Sequence, residues 1–179
     1  ILIKSINYFL FMFVKFFKSN KKQKNFLSFY YYYNNNFINI PKMFPKGIFA
    51  IQLLVEKKNK DQLLTILNLC KKYKLESWHC GIKRHKKDYF PNSFSANGYC
   101  LSIYFPFKQT ESRLFNFFYR ELKEYVLKKN IIFNLSSDSI LEKTTFNTMY
   151  PNFKELIKLK KELDRKSLLT NDFYNRLLR

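Results

Sequence analysis

Thiols and imidazoles are the side chains most often recruited for metal or nucleophilic chemistry, and the chain has Cys70, Cys80, Cys100, His79 and His85. No CxxC or HxxxH spacing joins them, so no zinc centre is expected. The cysteines also form no obvious disulfide frame, which points to a reducing compartment. A denser cluster lies in "NLSSDSILEKTTFNTMYPNF", residues 134–153. There Ser139-Ile140-Leu141-Glu142 reads as a capping box, the serine hydroxyl taking an orphan amide and Glu142 reaching back to the cap amide. Ser136-Ser137-Asp138, just ahead, places two hydroxyls and a carboxylate where they could line a site.

Charge supplies a third kind of chemistry. A net charge of +20 on 179 residues favours anionic partners: nucleic acid, a membrane surface or a phosphate-bearing substrate. Much of the lysine (Lys123, Lys128, Lys154, Lys158, Lys161) falls on helices as solvated faces. Against 21 Phe and 13 Tyr there are only 3 Gly, so coding bias toward AT-rich codons inflates both aromatic and basic counts. The run "ILIKSINYFLFMFVKFF" (1–17) is interrupted by Lys4 and Lys15 and is too short to span a bilayer, so it reads as a strand or helix of a domain. The expected location is cytoplasmic, with contact to a membrane surface open to so basic a chain. A chain starting at Ile1 is expected to be a piece of a longer polypeptide.

The elements that must position these groups can be read from periodicity. A basic connector (18–25) and an irregular aromatic stretch (29–47) precede regular structure. "GIFAIQLLVE" (47–56) reads as a buried strand, and 61–73 as a helix with Leu63, Leu64, Leu67, Cys70 and Tyr73 on one face. "ESWHCGIKR" (76–84) and "YCLSIYF" (99–105) are strands separated by a Gly/Pro/Asn/Ser loop. A helix over 110–128 carries Leu114, Phe117, Phe118, Leu122, Tyr125 and Val126, and 131–135 is a last strand. The order β-α-β-β-α-β predicts an α+β, ferredoxin-like split arrangement. Two helical pieces should follow, about 151–163 with Pro151 in the first turn, and 172–178. Asp172 and Arg176 there have i,i+4 spacing.

That order in a basic protein invites comparison with an RNA-recognition motif. The first strand and "NGYCLSIY" (97–104) loosely echo its two aromatic signatures, with bases stacking on Phe49, Tyr99 or Leu101. A basic nucleic-acid-binding module is therefore the alternative reading.

The stretch 146–178, "FNTMYPNFKELIKLKKELDRKSLLTNDFYNRLL", resembles the C-terminal signature of FAD-linked oxidases related to decaprenylphosphoryl-β-D-ribose 2′-oxidase. Phe146, Met149, Tyr150, Pro151, Asp164, Asp172, Arg176 and Leu177 stand in register, while Leu169 and Asn171 replace a usual Phe and Ser. "GIFAIQLLVE" is similar to that family's Gln-bearing strand, "SWHCGIKRH" to its Lys-bearing strand, and "NGYCLSIYFPF" to a third, with Tyr104 where an acid is usual. "NFLSFYYYYNNN" resembles the family's aromatic-aromatic-Pro-Leu-Asp stretch, with Tyr32 and Asn34 replacing Pro and Asp.

The resemblance implies a substrate domain over 1–131, with 1–46 poorly defined. It also implies a C-terminal segment (132–179) that returns to a flavin-binding domain absent from this chain. The implied activity is oxidation of a sugar hydroxyl to a ketone by hydride transfer to FAD, on a sugar that is phosphate- or lipid-linked. Gln52, Lys83, Cys100, Ser102, His79 and His85 fall on substrate-binding positions. Ser137 falls on the catalytic lysine position and, with Asp138, beside the cofactor. A serine there supplies no positive charge, so the resemblance is also compatible with an inactive remnant.

Overall fold

The computed structural model describes Ser5, Tyr8, Phe9, Met12, Phe13 and residues 40–90, 93–135 and 140–178. A short helix α1 (Ile40–Met43) leads into β1 (Ile48–Glu56). Then come α2 (Gln62–Lys72), β2 (His79–His85), β3 (Gly98–Pro106), the single turn α3 (Phe107–Thr110), α4 (Arg113–Lys128) and β4 (Ile132–Phe133). Helices α5 (Lys143–Met149) and α6 (Phe153–Leu163) and a π-helical turn (Tyr174–Leu178) complete the described chain. The fold is α+β, with a four-stranded antiparallel sheet in the order β2-β3-β1-β4.

Alternation along the strands decides which side of the sheet is the core. Phe49, Ile51, Leu53 and Val55 of β1 stand opposite Phe105, Ile103, Leu101 and Tyr99 of β3. Opposed residues of an antiparallel pair share a face. All but Tyr99 belong to one buried cluster, which Phe133 joins from β4, Ile66, Leu69 and Cys70 from α2, and Phe115, Phe118, Leu122 and Val126 from α4. Both helices therefore lie against this face.

The described C-terminal residues share the same cluster. Leu141, Phe146, Tyr150 and Leu177 are buried in it, and Tyr150 donates its hydroxyl proton to the Phe133 carbonyl at 2.5 Å. Arg176 reaches back to the carbonyl of Leu141, so it ties the chain's end to the loop before α5.

Local chemistry moved several expected boundaries. Strand β2 begins at His79 rather than residue 76, because the Gln109 side chain occupies both backbone groups of Glu76 (3.1 and 2.8 Å). The helix expected over 110–128 is divided. Ser112 is extended and accepts from the Phe115 amide at 3.1 Å, so it caps α4 and leaves α3 as a separate turn. In α4 the buried stripe runs through Phe115 rather than Leu114, and in α2 through Ile66 and Leu69 rather than the exposed Leu64.

Glu142 sits at the N-cap of α5, not three residues inside it, and its carboxylate accepts from Lys123 at 2.9 Å. The capping-box role expected for it is therefore not observed, and Ser139 lies outside the described residues. Pro151 precedes α6, whose N-cap is Asn152.

Where β3 begins, a Cβ on Gly98 would stand 2.1 Å from the Val55 carbonyl oxygen. That is backbone meeting backbone, with no side chain free to yield. Gly98→Ala is expected to lower stability by roughly 2–4 kcal/mol in urea unfolding, by prising β1 from β3. A change within about 0.5 kcal/mol would mean that the strands separate there without cost.

Candidate functional site on the polar face of the sheet

The sheet face turned away from α2 and α4 carries the remaining half of each strand. Ala50, Gln52, Leu54 and Glu56 of β1 stand opposite Tyr104, Ser102, Cys100 and Gly98 of β3. These in turn stand opposite His79, Gly81, Lys83 and His85 of β2. The residues therefore form rows across the sheet: His79–Tyr104–Ala50, Gly81–Ser102–Gln52, Lys83–Cys100–Leu54 and His85–Gly98–Glu56. Adjacent rows lie two residues apart along the strands, about 6.6 Å. Asn134 extends the Gln52 row, its amide donating to the Gln52 carbonyl at 2.9 Å.

Gln52 is the pivot of the face. Its Nε2 donates to the Tyr104 hydroxyl at 3.3 Å, and its Oε1 accepts from Asn134 Nδ2, so the amide is held in one orientation. Ser102 is only 4% exposed, and its Oγ lies 3.8 Å from the Cys100 Sγ. Burial raises the Cys100 pKa above the ordinary thiol value, which keeps the group a thiol and a poor nucleophile.

His79 tilts against Tyr104 and Trp78, with ring centroids 5.7 and 5.9 Å away. Burial first, and the Lys83 ammonium second, hold its pKa below the usual imidazole value. Gly81 leaves a depression between His79 and Lys83. Among the described residues, a Cβ there would meet only His79 Nε2, at 3.7 Å.

The structure thus brings Gln52, Ser102, Cys100, His79 and Lys83 into three neighbouring rows. His85 shares the face but sits at its far end, edge-on to Phe94 at 5.6 Å. Ser137 and Asp138 lie outside the described residues. Tyr104, Asn134 and Gly81 complete the site without having been expected as site residues. For Asn134 the signal was its phase, since it continues the side of the strand on which Ile132 lies. For Gly81 it was a lone glycine inside a strand, a mark of close approach or open space.

Of the three residues expected to stack bases, Phe49 (5% exposed) and Leu101 (0%) are in the core. Tyr99 shares their side of the sheet, with the Arg84 guanidinium over its ring at 5.4 Å. Stacking on Phe49 or Leu101 would require the core to open.

Beside the last rows a cleft of about 680 Å³ is lined by Leu54, Lys57, Lys87, Asn97, Asn130 and Ile132, among others. Face and cleft together offer oriented amides and hydroxyls for a polyhydroxylated ligand and ammonium groups for an anionic substituent. Compared with protein-family models and with curated protein sequences, the chain matches none.

The lowered His79 pKa has a definite sign. The unfolded chain binds this proton more readily than the folded one. Stability contributed by the neutral imidazole is therefore present above the ordinary value of 6.5 and falls as pH drops below it. Between about pH 7.5 and about pH 5.5 the melting temperature should fall further for the wild type than for His79→Gln. Equal falls would mean that His79 is as solvated in the fold as in the open chain.

Proposed function

We propose that this chain is the substrate-binding portion of an FAD-dependent oxidoreductase that converts a sugar hydroxyl to a ketone, the sugar resting on the polar face of the sheet. One observation carries the reading. Residues implied separately by resemblance on three strands, Gln52 on β1, Lys83 and His79 on β2, and Cys100 and Ser102 on β3, share one face in adjacent rows. The β-α-β-β-α-β succession and the strand order β2-β3-β1-β4 support a ferredoxin-like arrangement for this domain.

The three glycines, Gly47, Gly81 and Gly98, are scattered, so this chain supplies no glycine-rich turn to cradle a pyrophosphate. The dinucleotide would be held by the separate flavin-binding domain that the resemblance implies. This chain's share of the site is the partly exposed β2 side of the face, at His79, Gly81 and Lys83. When bound, the flavin supplies the hydride acceptor.

The chain's own groups bind and orient. Gln52, fixed by Tyr104 and Asn134, presents its remaining donor proton and acceptor lone pair to neighbouring hydroxyls. Ser102, buried beside Cys100, supports the face from beneath, and Lys83 attracts a phosphate on the substrate. In the cleft beside the face Glu56 pairs with Lys58, which leaves Lys57 and Lys87 for the same substituent and favours a phosphate-bearing sugar. Ser137, at the position of the family's lysine, would contribute a hydrogen bond without charge, and Asp138 would stand beside it at the flavin.

The chain alone should be colourless and should gain flavin absorbance in complex with its flavin-binding domain. Isothermal titration with ribose 5-phosphate tests the sugar half directly. Gln52→Leu and Lys83→Met should each weaken binding about tenfold, the scale of one hydrogen bond to a charged or oriented partner. Absence of heat from the wild type, or equal affinity in both variants, contradicts the proposal.

A further inference from the structure

Helix α6 has two apolar stripes and uses one of them. Phe153 packs into the core, edge-on to Phe146 at 5.3 Å, with Ile157 one turn later and partly buried. Leu156, Leu159 and Leu163, at i, i+3 and i+7, form a second stripe that grows more exposed toward the helix end, from 44% at Leu156 to 78% at Leu163. Beyond the helix, Leu168 (77% exposed) and Leu169 (76%) continue the apolar surface.

This projection is held in place. The Asp164 carboxylate accepts from the Leu168 amide at 2.8 Å and the Leu169 amide at 3.0 Å, and from Lys160 Nζ. The Lys160 side chain and the two amides keep the carboxylate pKa below its ordinary value, so the clamp is closed at neutral pH. Two leucines are thus fixed outward into solvent, where an unconstrained loop would fold them away.

Arg165 and Lys166 lie between Leu163 and Leu168 in the chain, and both are exposed and form no ion pair with another described residue. On α6 itself Lys158 and Lys161 fall on the side away from the leucine stripe, which Glu155 and Glu162 border, so the basic contact is confined to the 163–169 end. A second copy of a chain carrying +20 would be repelled from such a surface. An anionic bilayer satisfies both features, because leucines enter the acyl boundary while the ammonium groups meet the headgroups.

We propose that α6 and the 164–169 loop dock this protein on an anionic membrane surface, with Leu163, Leu168 and Leu169 inserted. Among the described residues no helix is long and apolar enough to cross a membrane, so the contact is one of lying on the surface. The inference is independent of the sugar site.

Co-sedimentation of the whole chain with phosphatidylcholine vesicles containing about 30% phosphatidylserine tests it. Binding should be at least about tenfold tighter than to pure phosphatidylcholine vesicles and should weaken as salt rises. The triple variant Leu163→Ser/Leu168→Ser/Leu169→Ser should bind at least about tenfold more weakly at an unchanged melting temperature, since these side chains are solvated in the fold. Arg165→Glu/Lys166→Glu should likewise lose binding to anionic vesicles. No vesicle binding by the wild type would overturn the proposal, and so would wild-type binding by the triple variant. So would a wild-type dimer in buffer that the triple substitution dissociates, because the ridge would then be a self-association surface.

Discussion

The pairing of β1 with β3 is the constraint on which everything else rests. It runs in unbroken register from Ile48↔Pro106 to Glu56↔Gly98. At its centre Leu53 and Leu101, both fully buried, stand opposite one another. A slip of one residue would turn the apolar row to the polar side and Gln52 and Leu54 into the helix layer. The close approach of Gly98 to Val55 pins one end of the ladder. Strands β2 and β4 then add to the outer edges of this pair and inherit its facing.

The polar face follows from that register, and its orientation is reinforced from the opposite side of the molecule. Tyr150, in the Met149-Tyr150-Pro151 stretch, is buried behind the sheet and bonds the Phe133 carbonyl. That fixes the two-residue strand β4, and the next residue, Asn134, bonds both the backbone and the side chain of Gln52. A residue in the C-terminal segment thereby positions an amide on the face proposed to bind substrate. Each buried polar group along this path has its partner, as low-dielectric surroundings require.

Strand identity was legible in the sequence because β1 and β3 are apolar runs bounded by turn signals, but alternation is broken at Leu53-Leu54-Val55 and across Cys100–Ile103, so it is the pairing register that puts the expected site residues on one face. Helix facing was less legible. In α4, leucine and phenylalanine satisfy the helical period on two adjacent stripes, and only the sheet decides that Phe115 is buried and Leu114 exposed. The start of β2 was hidden because it is set by Gln109, 33 residues away, capturing the backbone of Glu76. Glu142 paired with Lys123 of α4 instead of with its own helix end, a tertiary contact that local capping rules do not contain. Tyr104 gave a generic strand signal, and its role as Gln52's partner appears only once β1 and β3 are aligned.

A sheet with one face packed against α2 and α4 makes one direct demand on any sugar that binds. Intermolecular NOEs between bound ribose 5-phosphate and the protein in solution read out the face it occupies. Ring protons should show contacts to Gln52, Tyr104 and the Gly81 α-protons, which stand in adjacent rows of the polar face. Contacts confined to the outer surface of the helix layer, at Leu64 or Leu114, would contradict a sugar site on the sheet.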